Sequence, residues 1–74
     1  MTETPDPTGG WKIGDDVVFR HRLGFDARWL RGTIVGLGID ERIDGPPVAR
    51  FTVQIHPDDG AGRLQLALTH LNRP

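Results

Sequence analysis

The sequence predicts an all-β fold, a small closed barrel of five short strands, on three observations. Short runs of β-branched and aromatic residues alternate with polar residues at a period of two. Turn-forming Gly, Pro and Asp residues separate these runs about every 8–12 residues. No stretch has the helical periodicity that an α-helix of about ten residues would need. Closing the sheet would also remove the exposed edges that a sheet of this size otherwise carries.

The composition indicates one small domain and excludes several kinds of site. The 74 residues carry a net charge of −1, which argues against a strongly basic nucleic-acid coat. Cysteine and serine are absent, which excludes disulfides, cysteine-bound zinc and a Ser-His-Asp nucleophile. No apolar run approaches the ~20 residues that span a bilayer, and the first ten residues do not resemble a signal peptide. We therefore expect a soluble protein with no membrane partner, cytoplasmic if the host is bacterial.

The chain divides into a flexible tail at residues 1–10 and a barrel domain at residues 11–74. The tail contains mainly Thr, Pro, Asp, Glu and Gly. Such residues bury too little apolar surface to offset the entropy lost on ordering the chain.

The first strand is predicted at residues 17–22, after a Gly-Asp-Asp turn signal. Val17 and Phe19 face the core if alternate side chains point to opposite faces of the sheet. Residues 23–27 then form a loop, in which Gly24 can adopt a positive φ angle.

The second strand is predicted at residues 29–39, and its glycines suit a tightly curved barrel. Glycine weakens a flat strand, but in a curved one it lets the backbone bend and pack closely. Alternation places Trp29, Arg31, Thr33, Val35 and Leu37 on one face, and Leu30, Gly32, Ile34 and Gly36 on the other.

The remaining elements follow from the same pattern. A polar loop at residues 40–47 precedes the third strand at 48–56, which has the cleanest alternation in the chain. Residues 57–62 predict a hairpin turn, and 64–68 predict the fourth strand. Residues 69–71 suit one 3₁₀ turn before a last short strand. The expected core is Val17, Phe19, Ile34, Phe51, Val53, Ile55, Leu64 and Leu66.

Several apolar and glycine positions together resemble the SH3-like small barrel found in Tudor and KOW modules. They are Gly14-Asp15-x-Val17, Trp29-x-x-Gly32-x-Ile34-Val35-Gly36, Phe51-x-Val53, Leu64 and Leu71. The resemblance covers residues 11–73 and implies the same five-stranded barrel. It implies no single function, because this barrel carries many unrelated activities.

Two of these segments are also similar to the plasmid-encoded type II dihydrofolate reductases of trimethoprim resistance. They are Gly14-Asp15-Asp16-Val17 and residues 29–36, the latter with one additional residue after the tryptophan. The resemblance implies a homotetramer that reduces dihydrofolate with NADPH in a central pore. The family's Val-Gln-Ile-Tyr pore segment is similar to Val53-Gln54-Ile55-His56 and to Leu64-Gln65-Leu66-Ala67. Its pore lysine corresponds to Phe19 or Arg20, and this chain has no tyrosine.

The polar residues do not predict a catalytic or metal site. His21, His56 and His70 lie far apart in the sequence and lack the spacing of metal ligands. The carboxylates fall in predicted turns, where aspartate commonly bonds to its own backbone. We therefore expect no catalytic residue, no bound metal and no cofactor.

The densest group of candidate functional side chains is basic and aromatic. Four of the nine basic residues fall within residues 20–31, around one tryptophan. Arginine pairs well with phosphate and carboxylate, and barrels hold single-stranded nucleic acid with interleaved arginine and aromatic groups. The opposing interpretation is that Asp15, Asp16 and Asp26 neutralise these arginines on a solvated surface. The candidate binding residues are Arg20, Arg22, Arg28, Trp29 and Arg31.

The sequence thus favours a small non-enzymatic interaction module that binds a protein or a nucleic acid through this arginine and tryptophan surface. The reductase-like homotetramer is the alternative function. The oligomeric state stays open, with a homo-oligomer among the alternatives.

Overall fold

The computed structural model describes residues 6–23, 25–41 and 44–74, and it is an all-β domain. Four strands form one antiparallel sheet in the order β1-β2-β3-β4. Two 3₁₀ turns complete the described part of the chain, which contains no α-helix. The strands are β1 (Asp16–Leu23), β2 (Asp26–Asp40), β3 (Val48–Ile55) and β4 (Arg63–Ala67), and the turns are Pro57–Asp59 and Leu68–His70.

The sheet is not closed, and the described residues contain no fifth strand, so the prediction of a closed five-stranded barrel is wrong. In place of that strand, Val18 and Asn72 form an isolated bridge with two backbone hydrogen bonds of 3.0 Å. The next antiparallel pair on one side would involve Pro74, which has no N–H to donate. On the other side it would involve His70, which belongs to the second 3₁₀ turn. Pairing between β1 and the C-terminal segment therefore stops at one bridge.

A β-bulge in β2 changes the face on which its second half presents its side chains. The register is Ile34 opposite Val53 and then Gly36 opposite Thr52, so one extra residue is inserted in β2. Leu37 consequently lies opposite the buried Phe51, on the core side of the sheet. The prediction that Leu37 shares a face with Trp29 is therefore wrong, because uninterrupted alternation was assumed across the bulge.

The connections are shorter than the turn signals predict. Leu23 pairs with Asp26, so only two residues join β1 to β2 instead of the predicted loop at 23–27. Gly24, for which a positive φ is predicted, lies outside the described residues. The turn after β3 contains a 3₁₀ turn, and Gly60 then adopts a left-handed conformation with φ of 119°.

The core consists of side chains that point to one face of the sheet, and the burial of most of the predicted core residues is confirmed. Val17, Phe19, Ile34, Phe51 and Val53 are buried, whereas Ile55, Leu64 and Leu66 are partly buried and pack against them. The other buried side chains are Trp11, Leu30, Ala49 and Leu71.

Trp11 is buried, and it packs at the edge of the core cluster. The Arg73 guanidinium lies 3.9 Å from the centre of the Trp11 ring and covers it. A contact across sixty residues leaves no local pattern in the sequence, so the neighbours of Trp11 could not indicate its burial.

The molecule is elongated, and its first hairpin projects from the core. The Cα radius of gyration is 13.6 Å, against about 11 Å expected for a compact domain of this length. The Cα extents are 45 × 26 × 17 Å, because β2 continues past each of its neighbours. β3 pairs with β2 only from Gly32 onward, so the part of the β1–β2 hairpin at residues 20–29, called here the hairpin arm, has no third strand beside it.

Residues 6–10 form a turn next to the domain. The Asp6 carboxylate accepts hydrogen bonds from the Thr8 hydroxyl at 2.7 Å and the Thr8 N–H at 2.9 Å. These two bonds, the hydroxyl first, hold the pKa of Asp6 below its ordinary value. Residues 1–5 lie outside the described part. The flexible tail and its boundary at residue 10 stay predictions.

Candidate functional site: the arginine and tryptophan face of the hairpin arm

The pairing of β1 with β2 brings four of the five predicted binding residues onto one face. Arg20 lies directly opposite Trp29, and Arg31 lies opposite Val18. Arg22 follows Arg20 by two residues and is therefore on the same side of the strand. This side points away from the core, because Phe19, which precedes Arg20 on β1 and points to the opposite side, is completely buried. The group Arg20, Arg22, Trp29 and Arg31 is called the Arg/Trp face below.

Arg28 lies on the other face of the hairpin arm. It pairs with His21, one position out of phase with Arg20 and Trp29. Successive side chains of a strand point to opposite faces, so the Arg28 side chain leaves β2 on the face opposite Trp29. Both residues nevertheless line one depression with Asp58, Asp59 and Gly60. The place of Arg28 among the binding residues stays a prediction.

The Arg/Trp face has a flat aromatic platform beside a basic hollow. Trp29 is 60% exposed although it is one of the largest side chains in the chain. Ala27 lies opposite Arg22, and its small side chain leaves an open depression lined by Arg20, Arg22 and Ala27. Ala27 was not predicted as part of the site. Ala27 could have been identified from the sequence, because a small residue two positions before Trp29 lies on the same face of the strand.

Arg31 is held by an acidic residue from the turn after β3. Its backbone N–H donates to the Asp59 carboxylate at 2.9 Å, and its side-chain Nε donates to the same oxygen at 3.2 Å. The His56 N–H donates to the Arg31 carbonyl at 2.8 Å, so the turn is attached to β2. The backbone bond from Arg31, followed by its side-chain bond, holds the pKa of Asp59 below the ordinary value.

The other two arginines of this face have no acidic partner among the residues the structure describes. The carboxylates predicted to neutralise the cluster are engaged elsewhere in two cases. Asp15 accepts from the Lys12 N–H at 3.0 Å, and its carboxylate lies 3.9 Å from Arg73. Asp16 accepts from the Thr33 hydroxyl at 3.3 Å. Neither Arg20, Arg22 nor Arg28 forms an ion pair within the described ranges.

Positive charge is concentrated at the projecting hairpin although the whole chain is nearly neutral. Residues 20–31 contain four arginines and one aspartate, a net charge of +3. The rest of the chain contains five basic and nine acidic residues, a net charge of −4. Such asymmetry gives one end of the molecule a local field that its net charge conceals.

Gln54 and Gln65, which resemble the reductase pore residue, lie exposed on β3 and β4. In the described ranges no three His, Asp or Glu residues are grouped closely enough to hold a metal ion. The same residues contain no helix with the length and apolar character to cross a membrane.

No family model, no curated protein and no solved structure matches this chain. The case for a function therefore depends on the chemistry of the Arg/Trp face.

Proposed function

We propose that this chain is a non-enzymatic interaction module that binds an anionic partner, a protein or a nucleic acid, through the Arg/Trp face. One observation carries the proposal. Arg20 lies opposite the exposed Trp29, Arg22 follows on the same face toward the tip of the hairpin, and neither arginine has an acidic partner among the described residues.

The placement of these two arginines leaves their charges available. Alternate residues on a strand lie about 7 Å apart, so Arg20 and Arg22 repel each other weakly across water. A bound phosphate or carboxylate between them relieves this repulsion and forms charge-assisted hydrogen bonds to guanidinium.

The hairpin arm also suits contact with a large partner. Trp29 is 60% exposed, and the depression beside it is lined by Asp58, Asp59 and Gly60 of the turn after β3, so a partner that covers Trp29 also meets this turn. Exposed aromatic and arginine side chains are the residue types most enriched at binding hot spots. The depression at Arg20, Arg22 and Ala27 and the one beside Trp29 are open to solvent, which suits contact with the surface of a partner.

A thermal-shift experiment with heparin and polyglutamate tests this function. Both polyanions should raise the melting temperature of the wild-type protein at low salt, and the shift should fade near physiological ionic strength, where the Debye length is about 8 Å. Arg22→Ala should reduce the shift. Arg63→Ala is the matched control, since it removes one exposed arginine from β4 at the other edge of the sheet.

The wild-type shift should persist in Arg63→Ala. Equal shifts in both variants would show that the polyanions respond only to net charge, and no shift in the wild type at low salt would overturn the proposed function.

A further inference from the structure

We infer that the anionic partner is a single-stranded nucleic acid, one base of which stacks on Trp29 while the adjoining phosphates contact Arg20 and Arg22. This inference rests on the proposed function and adds the chemical class of the ligand. It depends on three properties of the Arg/Trp face: an exposed aromatic surface, the spacing of the two arginines, and the hollow at Ala27.

The exposed Trp29 ring distinguishes between classes of anionic ligand. The carboxylates of an acidic peptide can satisfy Arg20 and Arg22 but offer no flat surface to Trp29. In a duplex, the faces of the bases are hidden by stacking within the helix. An unpaired base presents its whole face, and stacking on an aromatic side chain tolerates any base.

The two arginines match the repeat of an extended strand. They are separated by two residues of β1, about 7 Å, which is comparable to the distance between successive phosphates in an extended polynucleotide. Arg20 lies directly across from Trp29, so the phosphate next to the stacked base falls at Arg20. The following phosphate falls at the depression formed by Arg20, Arg22 and Ala27.

Arg31 is not a phosphate contact in this arrangement. Its Nε already donates to Asp59 at 3.2 Å, so its charge is compensated within the protein. The strand therefore runs from Trp29 toward the tip of the hairpin arm. The salt dependence of binding should accordingly reflect two phosphates and not three.

Binding is measured with fluorescently labelled octamers of oligothymidylate and oligouridylate over a range of salt concentrations. A single strand loses about 0.7 in the logarithmic salt slope for each neutralised phosphate, so the wild-type slope should be about −1.4. Arg20→Ala and Arg22→Ala should each reduce the slope by about 0.7. Arg63→Ala should leave it unchanged. The two oligomers differ in the 2′-hydroxyl group and in the 5-methyl group of the base, and the proposed contacts are to base faces and phosphates, so their affinities should be similar.

Trp29 is tested separately from charge. Trp29→Ala should weaken octamer binding by about 5- to 150-fold without altering the salt slope, and Trp29→Phe should recover most of the affinity. Stacking should also quench the emission of Trp29 in the wild type. Trp11 is buried beneath Arg73 and supplies an emission that the ligand does not reach.

The outcomes separate this inference from the proposed function. If the octamers bind no more tightly than polyglutamate, or if Trp29→Ala leaves their affinity unchanged, the nucleic-acid inference fails while anion binding stands. Tighter binding of an eight-base-pair duplex than of the single strands would also overturn it. If neither octamers nor polyanions bind at low salt, both proposals fail. Melting curves of each variant verify folding, and Trp29 is exposed enough that truncation leaves no internal cavity.

Discussion

The close contact between β2 and β3 at Gly32 offers a direct test of the packing of this domain. An added Cβ at Gly32 would lie 2.5 Å from Cγ1 of Val53 and 2.8 Å from the carbonyl oxygen of Gln54. Val53 is completely buried, and the carbonyl belongs to the backbone of the neighbouring strand. Gly32→Ala therefore requires the two strands to move apart or the core to repack.

The expected loss of stability follows from the cost of overpacking, which is typically about 1–3 kcal/mol. A domain of this length has a total stability of about 4–11 kcal/mol, so the substitution removes a large part of it. Each kcal/mol shifts the melting temperature by roughly 4–8 °C at this size. Gly32→Ala should thus lower the melting temperature by about 4–24 °C.

Gly38→Ala is the matched control on the same strand. A Cβ at Gly38 would meet no atom within 4 Å. Alanine is favoured over glycine within a strand by roughly 0.5–1 kcal/mol, so this variant should melt about 2–8 °C higher than the wild type. The assay is thermal unfolding followed by circular dichroism. Equal melting temperatures for Gly32→Ala and the wild type would refute the close approach of β2 and β3.

Three further outcomes are expected. Phe51→Ala should destabilise the protein by about 3–5 kcal/mol in urea titrations because Phe51 is completely buried. Phe25 is fully exposed, so the free energy of unfolding of Phe25→Ala should stay within about 0.5 kcal/mol of the wild-type value. Similar losses in the two variants would mean that the core is misassigned. The Asp59 carboxyl should titrate by NMR below the ordinary value of 3.8. Because the pKa of Asp59 is lower in the folded protein, its ionised carboxylate stabilises the fold at pH values above the ordinary pKa, and this contribution is lost as the pH falls through the lowered pKa. Asp59→Asn should therefore lose less stability than the wild type on acidification below about pH 4. An Asp59 midpoint at or above 3.8 would contradict the Arg31 contact. The absorbance of NADPH mixed with dihydrofolate should not decay faster than background when the protein is added, and light scattering on the same sample gives the oligomeric mass. Measurable reduction by a tetramer would establish the reductase-like alternative. Gln54 and Gln65 would then be the residues to substitute.

The sequence determines the strands themselves and much of the core. Alternating apolar residues occupy β1, the first half of β2 and β3, and their period of two identifies the inward face before any contact is known. Val17, Phe19, Phe51 and Val53 are buried for this reason. Trp29 and its arginine neighbours could be chosen as a site because their density within twelve residues is visible in one dimension.

The tertiary structure decides which of those arginines share a strand face. Hairpin register, and not distance along the chain, places Arg28 on the face opposite Arg20. The charge of Arg31 is paired with Asp59, which lies 28 residues away along the chain. No local sequence pattern connects Asp59 to β2. Contacts of this kind depend on where the turn after β3 falls in space.

The same distinction explains the errors in the fold. A bulge reverses the alternation of β2 after Ile34, and it is a property of the paired strands that single-strand periodicity does not contain. Closure of the barrel depends on whether the C-terminal segment can continue pairing with β1. It cannot, because Pro74 lacks a donor on one side of the bridge and His70 is committed to a 3₁₀ turn on the other. Local preference therefore specifies where strands form, while long-range hydrogen bonding specifies how far they pair and which side chains they bring together.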